Sequence, residues 1–138
     1  MQYELKTEDF EIDCEIKFNK EDVSYPVNSI LHIAVTSGRF CGESTMDMDI
    51  HDFTVFVSDL KNLYDSLKGT ARIEEPYGVH QFIEFGCDNK GHIKVKGYLN
   101  SNGADGFNQK LQFENELDQT CLKNFAYKLY NDNKKYLK

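Results

Sequence analysis

Around Asp49 the apolar residues of this chain stop recurring every second position and begin recurring every third or fourth. Few folds accommodate that change. Before it, Phe10-Glu11-Ile12-Asp13-Cys14-Glu15-Ile16-Lys17-Phe18 alternates apolar and polar without a break, the period of a half-buried strand. Its Glu and Asp residues fall on the outer face, where charge blunts an edge strand against aggregation. Ile30-Leu31-His32-Ile33-Ala34-Val35 is more apolar, the pattern of a strand covered on both sides, with His32 a core or edge histidine. Ser37-Gly38 turns into a third strand, on which Phe40, Met46 and Met48 share one parity and point to the core. Asn19 to Asn28, with Pro26, reads as the loop between the first two strands.

After the change, Phe53, Phe56, Val57, Leu60, Leu63, Tyr64 and Leu67 form one helical stripe. Asp52 suits the cap, Asp49 favours the positive end of the helix dipole, and Gly69 supplies a left-handed stop. Alternation then returns. Thr70–Glu74 is a short strand, and Glu75-Pro76-Tyr77-Gly78 has turn chemistry. Gln81–Cys87 and His92–Leu99 form a hairpin across Asp88-Asn89-Lys90-Gly91. Asn100–Gly106 reads as a mobile loop, and Leu111–Leu117 as the last strand. Asp118 caps a second helix with Leu122, Phe125, Ala126, Leu129 and Tyr130 on its apolar stripe. The pattern predicts one α+β domain over residues 1–138. It is a curved, predominantly antiparallel sheet of about seven strands, with two amphipathic helices (about 52–67 and 119–134) packed on it, the strands in one layer or two.

Composition is consistent with that build. A chain of 138 residues, 40% of them hydrophobic, buries enough surface to need no disulfide or structural metal. The cysteines at 14, 41, 87 and 121 form no CxxC pair. The N-terminus lacks the pattern of a signal peptide, and no apolar run approaches the roughly 20 residues that span a bilayer. Free thiols in a reducing cytoplasm are the economical reading. The net charge of −7 repels phosphate backbones, so neither a nucleic acid nor a membrane surface is the expected partner. The basic run Lys134-Lys135-Tyr136-Leu137-Lys138 reads as a solvated tail that favours the negative end of the last helix.

Each cluster that might carry chemistry has a plainer explanation. Asp47, Asp49, His51 and Asp52 have the spacing of no calcium loop and fit an acidic helix start. Glu74 and Glu75 are adjacent, so a strand sends them to opposite faces, whereas paired catalytic carboxyls must converge. No cysteine or serine lies in a known nucleophile setting near His32, His51, His80 or His92, and the glycines make no nucleotide-binding pattern. The expectation is a protein without catalytic residues, cofactor or metal.

Several segments together resemble the WapI-type immunity proteins of bacterial polymorphic, contact-dependent toxin systems. They are Phe40-Cys41-Gly42, the helix from Asp52-Phe53 to Leu67, Gly69-Thr70-Ala71, Gly91-His92-Ile93-Lys94-Val95-Lys96-Gly97, Leu111-Gln112-Phe113-Glu114 and Asp118-Gln119-Thr120-Cys121-Leu122. They cover about two-thirds of the chain in the right order. The N-terminal third departs from the family pattern, and its early Trp is missing because the chain has no Trp. The resemblance implies a small, cytoplasmic, non-enzymatic protein that binds and neutralises a cognate toxin domain. An acidic chain suits a basic toxin surface, and Asp47, Asp49, Glu74, Glu75 and Tyr77 are the residues expected to meet it. Self-association is left open. The alternative is a non-catalytic small-molecule-binding or regulatory domain that uses the concave face of the sheet.

Overall fold

A computed structural model of the chain describes residues 2–19, 27–76, 78–88, 90–102 and 105–137. The elements are β1 (Gln2–Lys6), β2 (Phe10–Phe18), β3 (Ser29–Ser37), β4 (Phe40–Met48), α1 (Ile50–Ser66), β5 (Thr70–Glu74), β6 (Phe82–Cys87), β7 (Ile93–Asn102), β8 (Asn108–Leu117) and α2 (Gln119–Asn133), then one 3₁₀ turn at Lys134–Tyr136. The strands make two four-stranded antiparallel meanders, β1-β2-β3-β4 and β5-β6-β7-β8, each followed by its helix. The architecture is α+β, as the pattern predicts, with the strands divided between two sheets. The strand beyond the expected seven is β1, whose alternation covers only Tyr3 and Leu5, too few apolar positions to stand out from chance.

The inner faces of both sheets and the apolar stripes of both helices form one core. Phe10 of β2 stacks on Phe113 of β8, ring centroids 5.7 Å apart, and so joins the sheets. Phe85 of β6 lies between Phe56 of α1 (6.3 Å) and Phe125 of α2 (6.4 Å). The helices also clasp each other: the Tyr127 hydroxyl donates to Asp65, which Lys61 of the same helix holds at 2.8 Å, and Tyr64 meets Tyr127 edge to face.

Both helix stripes bury, with Tyr64, Leu67 and Tyr130 only in part, but the N-terminal cap of α1 is Asp49, which accepts from the His51 N–H at 2.9 Å, and Asp52 lies inside the first turn. A distant residue decides between the two. Buried Asn28 accepts the Ile50 N–H at 2.8 Å and donates to Asp49 at 3.2 Å, which starts the helix at Ile50. At the other end Leu67 itself takes the left-handed conformation, with φ 56°, ahead of Gly69. Asp118 caps α2 as predicted, by accepting from the Thr120 N–H at 3.0 Å.

Three other expectations change. β3 has neighbouring strands on both sides but only one covered face, so Ile30 and His32 are exposed. Phe40 has core parity, yet β4 runs past the core at that end and leaves it 72% exposed. The C-terminal turn is not purely a solvated tail, because the Tyr136 ring packs 5.1 Å from Phe18. Residues 20–26 of the expected first loop lie outside the described residues; its ends are joined by the Asn19 N–H donating to the Asn28 carbonyl at 2.9 Å.

Tyr3 ties β1 to α2. Its hydroxyl donates to Asp132 at 3.1 Å and accepts from buried Asn133 at 3.3 Å. Burial, with the Asp132 charge in support, pushes its phenol up to about 12. Because the folded value lies above the ordinary one, this contribution to stability is intact below about pH 10 and is lost as pH rises toward 12. Urea unfolding at pH 9 and pH 11 is expected to show that loss, and Tyr3→Phe to reduce it. An unchanged pH slope in the variant would contradict this account.

Candidate functional site

The outward positions of the two sheets carry different charge patterns. On the C-terminal sheet Arg72, Glu84, Lys96 and Glu114 stand opposite one another across β5, β6, β7 and β8, so signs alternate. Arg72 reaches Glu84 at 3.2 Å and Glu74 at 2.6 Å, and Lys96 reaches Glu84 at 3.5 Å. That face neutralises itself.

The outward face of the N-terminal sheet does not. Glu4 of β1 stands directly opposite Asp13 of β2, and oxygens of Glu4, Glu11 and Asp13 lie within 4.8 Å of one another. Asp13 continues across Ala34 of β3 to Glu43 of β4, and Glu15 faces His32, which faces Thr45. Among the described residues Lys17, 3.5 Å from Glu15, makes the one ion pair on this face. Lys6 stands opposite Glu11, but like charges placed directly opposite destabilise a sheet, so the Glu4–Asp13 pair does nothing for folding. Nor does it protect an edge, the role the alternation suggested, because β2 is paired on both sides.

A wall stands over this acidic floor. β6 pairs with β7 only as far as Phe82↔Tyr98, so Asn100–Asn102, together with the start of β8, extend past β6 as an arm. Asn100–Asn102, expected to open a loop, are therefore strand, while 103 and 104 lie outside the described residues. Between arm and floor lies a groove of about 520 Å³, lined by Asp13, Glu15, His32, Ala34, Glu43, Ser44 and Thr45 below and by Gln81 and Asn100–Asn102 at the side.

Gln81, only 4% exposed, sets the distance between wall and floor. Its amide donates to the Thr45 carbonyl of β4 at 2.9 Å and to Glu75 at 3.3 Å, while its carbonyl accepts the Asn100 N–H of β7 at 2.9 Å. The Ser44 hydroxyl donates to the Asn100 carbonyl at 2.8 Å. Two large apolar side chains are exposed beside the groove: Ile30 on the same sheet face at 41%, and Phe107 near the arm's tip at 69%.

The residues expected to meet a partner are scattered. Asp47 is exposed at the β4 end of the acidic face, where its N–H donates to Glu75 at 3.2 Å. Asp49 is engaged as the α1 cap. Glu74 belongs to the other sheet, paired with Arg72 and 3.6 Å from His80. Tyr77 lies outside the described residues. The floor carboxylates and Gln81 were not singled out from sequence. Their only local signal is acid at alternate strand positions, and a strand face acquires meaning once its neighbours are known.

The arrangement offers no activated nucleophile among the described residues. The Cys14 thiol faces the core, and burial pushes it up to about 12; burial also raises the Cys87 thiol. His92 donates its backbone N–H to Asp88 at 2.9 Å across the hairpin turn, and its ring lies 3.4 Å from the same carboxylate. Among the described residues Asp47, Asp49, His51 and Asp52 do not converge into a ligand set; Glu4, Glu11 and Asp13 are the group whose oxygens do, on an open surface.

Fold and site together describe a two-sheet α+β scaffold with an acidic groove along its N-terminal sheet. The family model described as the immunity protein WapI-like family matches residues 5–137, and the chain belongs to that family. The match takes in the N-terminal third that departs from the quoted motifs. No curated protein matches the chain. No helix among the described residues is long and apolar enough to cross a membrane.

Proposed function

We propose that this protein is an immunity protein that neutralises a cognate bacterial toxin domain by direct, stoichiometric binding in the cytoplasm of the producing cell. Membership of the WapI-like family supports the class. The observation that carries the mode of action is the face on which Glu4, Asp13 and Glu43 make no ion pair among the described residues and Glu4 stands opposite Asp13. A surface that repels itself gains most when an opposite charge covers it, and such a field speeds encounter with a basic partner. The toxin surface is therefore basic in this reading. Asp47 belongs to the rim of the contact, while Asp49 and Glu74, already engaged within the fold, contribute little.

A small-molecule role is less well supported. The groove has the volume of a ligand pocket, roughly 300–1,000 Å³, but its lining is mostly polar, and the apolar space enclosed by Ile12, Leu31, Phe53, Phe85 and their neighbours is about 10 Å³, whereas small-molecule pockets are mostly apolar. The test is co-expression with the variable C-terminal domain of a large toxin encoded immediately upstream of this chain. Growth is expected to be rescued, and the association rate of the purified pair to fall about tenfold between 50 and 500 mM salt. Absence of rescue would sink the immunity reading, and a salt-independent rate would sink the electrostatic mode.

A further inference from the structure

We infer that the groove between the N-terminal sheet and the β7–β8 arm receives an extended, lysine- or arginine-bearing segment protruding from the partner protein. The partner's identity as a toxin rests on the function proposed above; the groove and the chemistry of its occupant rest on the following geometry.

Charge sets the sign of the occupant. Asp13 and Glu43 flank the small Ala34 across three paired strands, so a cationic side chain lowered between them meets carboxylates and no bulk. Neither carboxylate has an ion-pair partner among the described residues, in contrast to the alternating ladder on the other sheet. Partner cations here would replace repulsion with attraction, not displace an existing salt bridge.

The arm sets the shape. Beyond Tyr98, β7 has no strand neighbour on the β6 side. The Asn100 N–H and C=O on that side are taken by Gln81 and Ser44. Strand periodicity turns the N–H and C=O of Asn102 to the same side, where the described residues provide no strand to receive them. An unpaired strand edge is a template for an incoming extended chain, whose main chain bonds to the edge while alternate side chains reach down. Backbone pairing above and carboxylates below together select an extended basic peptide segment over a compact polycation.

The experiment uses the full chain and two variants with the same change in net charge: Asp13→Lys with Glu43→Lys on the floor, and Glu114→Lys with Glu116→Lys on the other sheet. Thermal melting by circular dichroism first establishes folding; if the floor variant does not fold, Asp13→Asn and Glu43→Gln replace it. Binding to the upstream-encoded toxin domain is expected to weaken about 100-fold for the floor reversal, about tenfold for either neutral variant, and less than about threefold for the other sheet. A floor variant that binds like wild type, or equal losses from both faces, overturns the assignment. If wild type itself neither binds nor rescues, the immunity reading fails, and a hexalysine titration followed by amide NMR decides the groove alone. Shifts concentrated at Asp13, Glu15, Glu43 and Asn102 support it. Shifts elsewhere, or none, overturn it, as does tighter binding of spermine than of hexalysine at those amides.

Discussion

Gly97→Ala is expected to destabilise the protein by about 3 kcal/mol, the upper part of the usual range for overpacking a core. The backbone of Gly97 is ordinary strand, so the effect is steric. A methyl group there would lie 2.5 Å from Cζ and 2.8 Å from Cε1 of Phe113, and 2.8 Å from the Phe82 carbonyl oxygen. None of these can retreat easily. Phe113 is directly opposite on β8 and stacked on Phe10, which joins the two sheets, and the Phe82 carbonyl belongs to the neighbouring strand. Gly42→Ala is the matched control. Its new methyl would meet Leu111 Cδ2 at 3.3 Å, the end of a flexible side chain, and is expected to cost less than about 1 kcal/mol. Urea unfolding with an unchanged m-value would measure both. Equal costs at the two positions would show that Phe113 is free to move and that the sheets are not locked there.

The second large effect is expected at Gln81, where stability and the groove are coupled. Gln81→Leu keeps similar bulk and removes both ends of the amide. The Thr45 carbonyl and the Asn100 N–H then lose their partners, at roughly 1–3 kcal/mol for each group left unsatisfied. Both sites are partly buried, so water offsets some of this, and a total of about 2–3 kcal/mol is expected. The distinguishing readout is local. Hydrogen exchange at the Asn100 amide is expected to accelerate more than exchange in the middle of α1, because the arm separates from β4 before the core opens. Uniform acceleration would mean that Gln81 supports the fold without positioning the arm. Unchanged protection at Asn100 would mean that Ser44 alone holds the arm in place.

These residues also separate what was legible from what was not. Asp118 reads as a cap because its partner, the Thr120 N–H, is two residues away. The choice between Asp49 and Asp52 needed Asn28, brought over from β3's side of the sheet. The hairpin from Gln81 to Leu99 was visible because its turn chemistry and alternation are contiguous, whereas the ring that requires glycine at position 97 lies on another strand. Phe40 misled because parity reports which face a side chain takes, not whether anything covers that face.

From the sequence by itself came the class of the fold, both helices, most of the strands and the family likeness, since each depends on periodicities, caps and turns that act within a few residues. The acidic groove was decided only in the tertiary structure. Asp13, Glu15 and Glu43 come together through strand register, the arm through its extension past β6, and their spacing through one buried glutamine. Charge on a strand is ordinary when solvent or an opposite charge screens it. Only the pairing of β1, β2, β3 and β4 reveals that Asp13 faces Glu4 and shares one sheet face with Glu15 and Glu43.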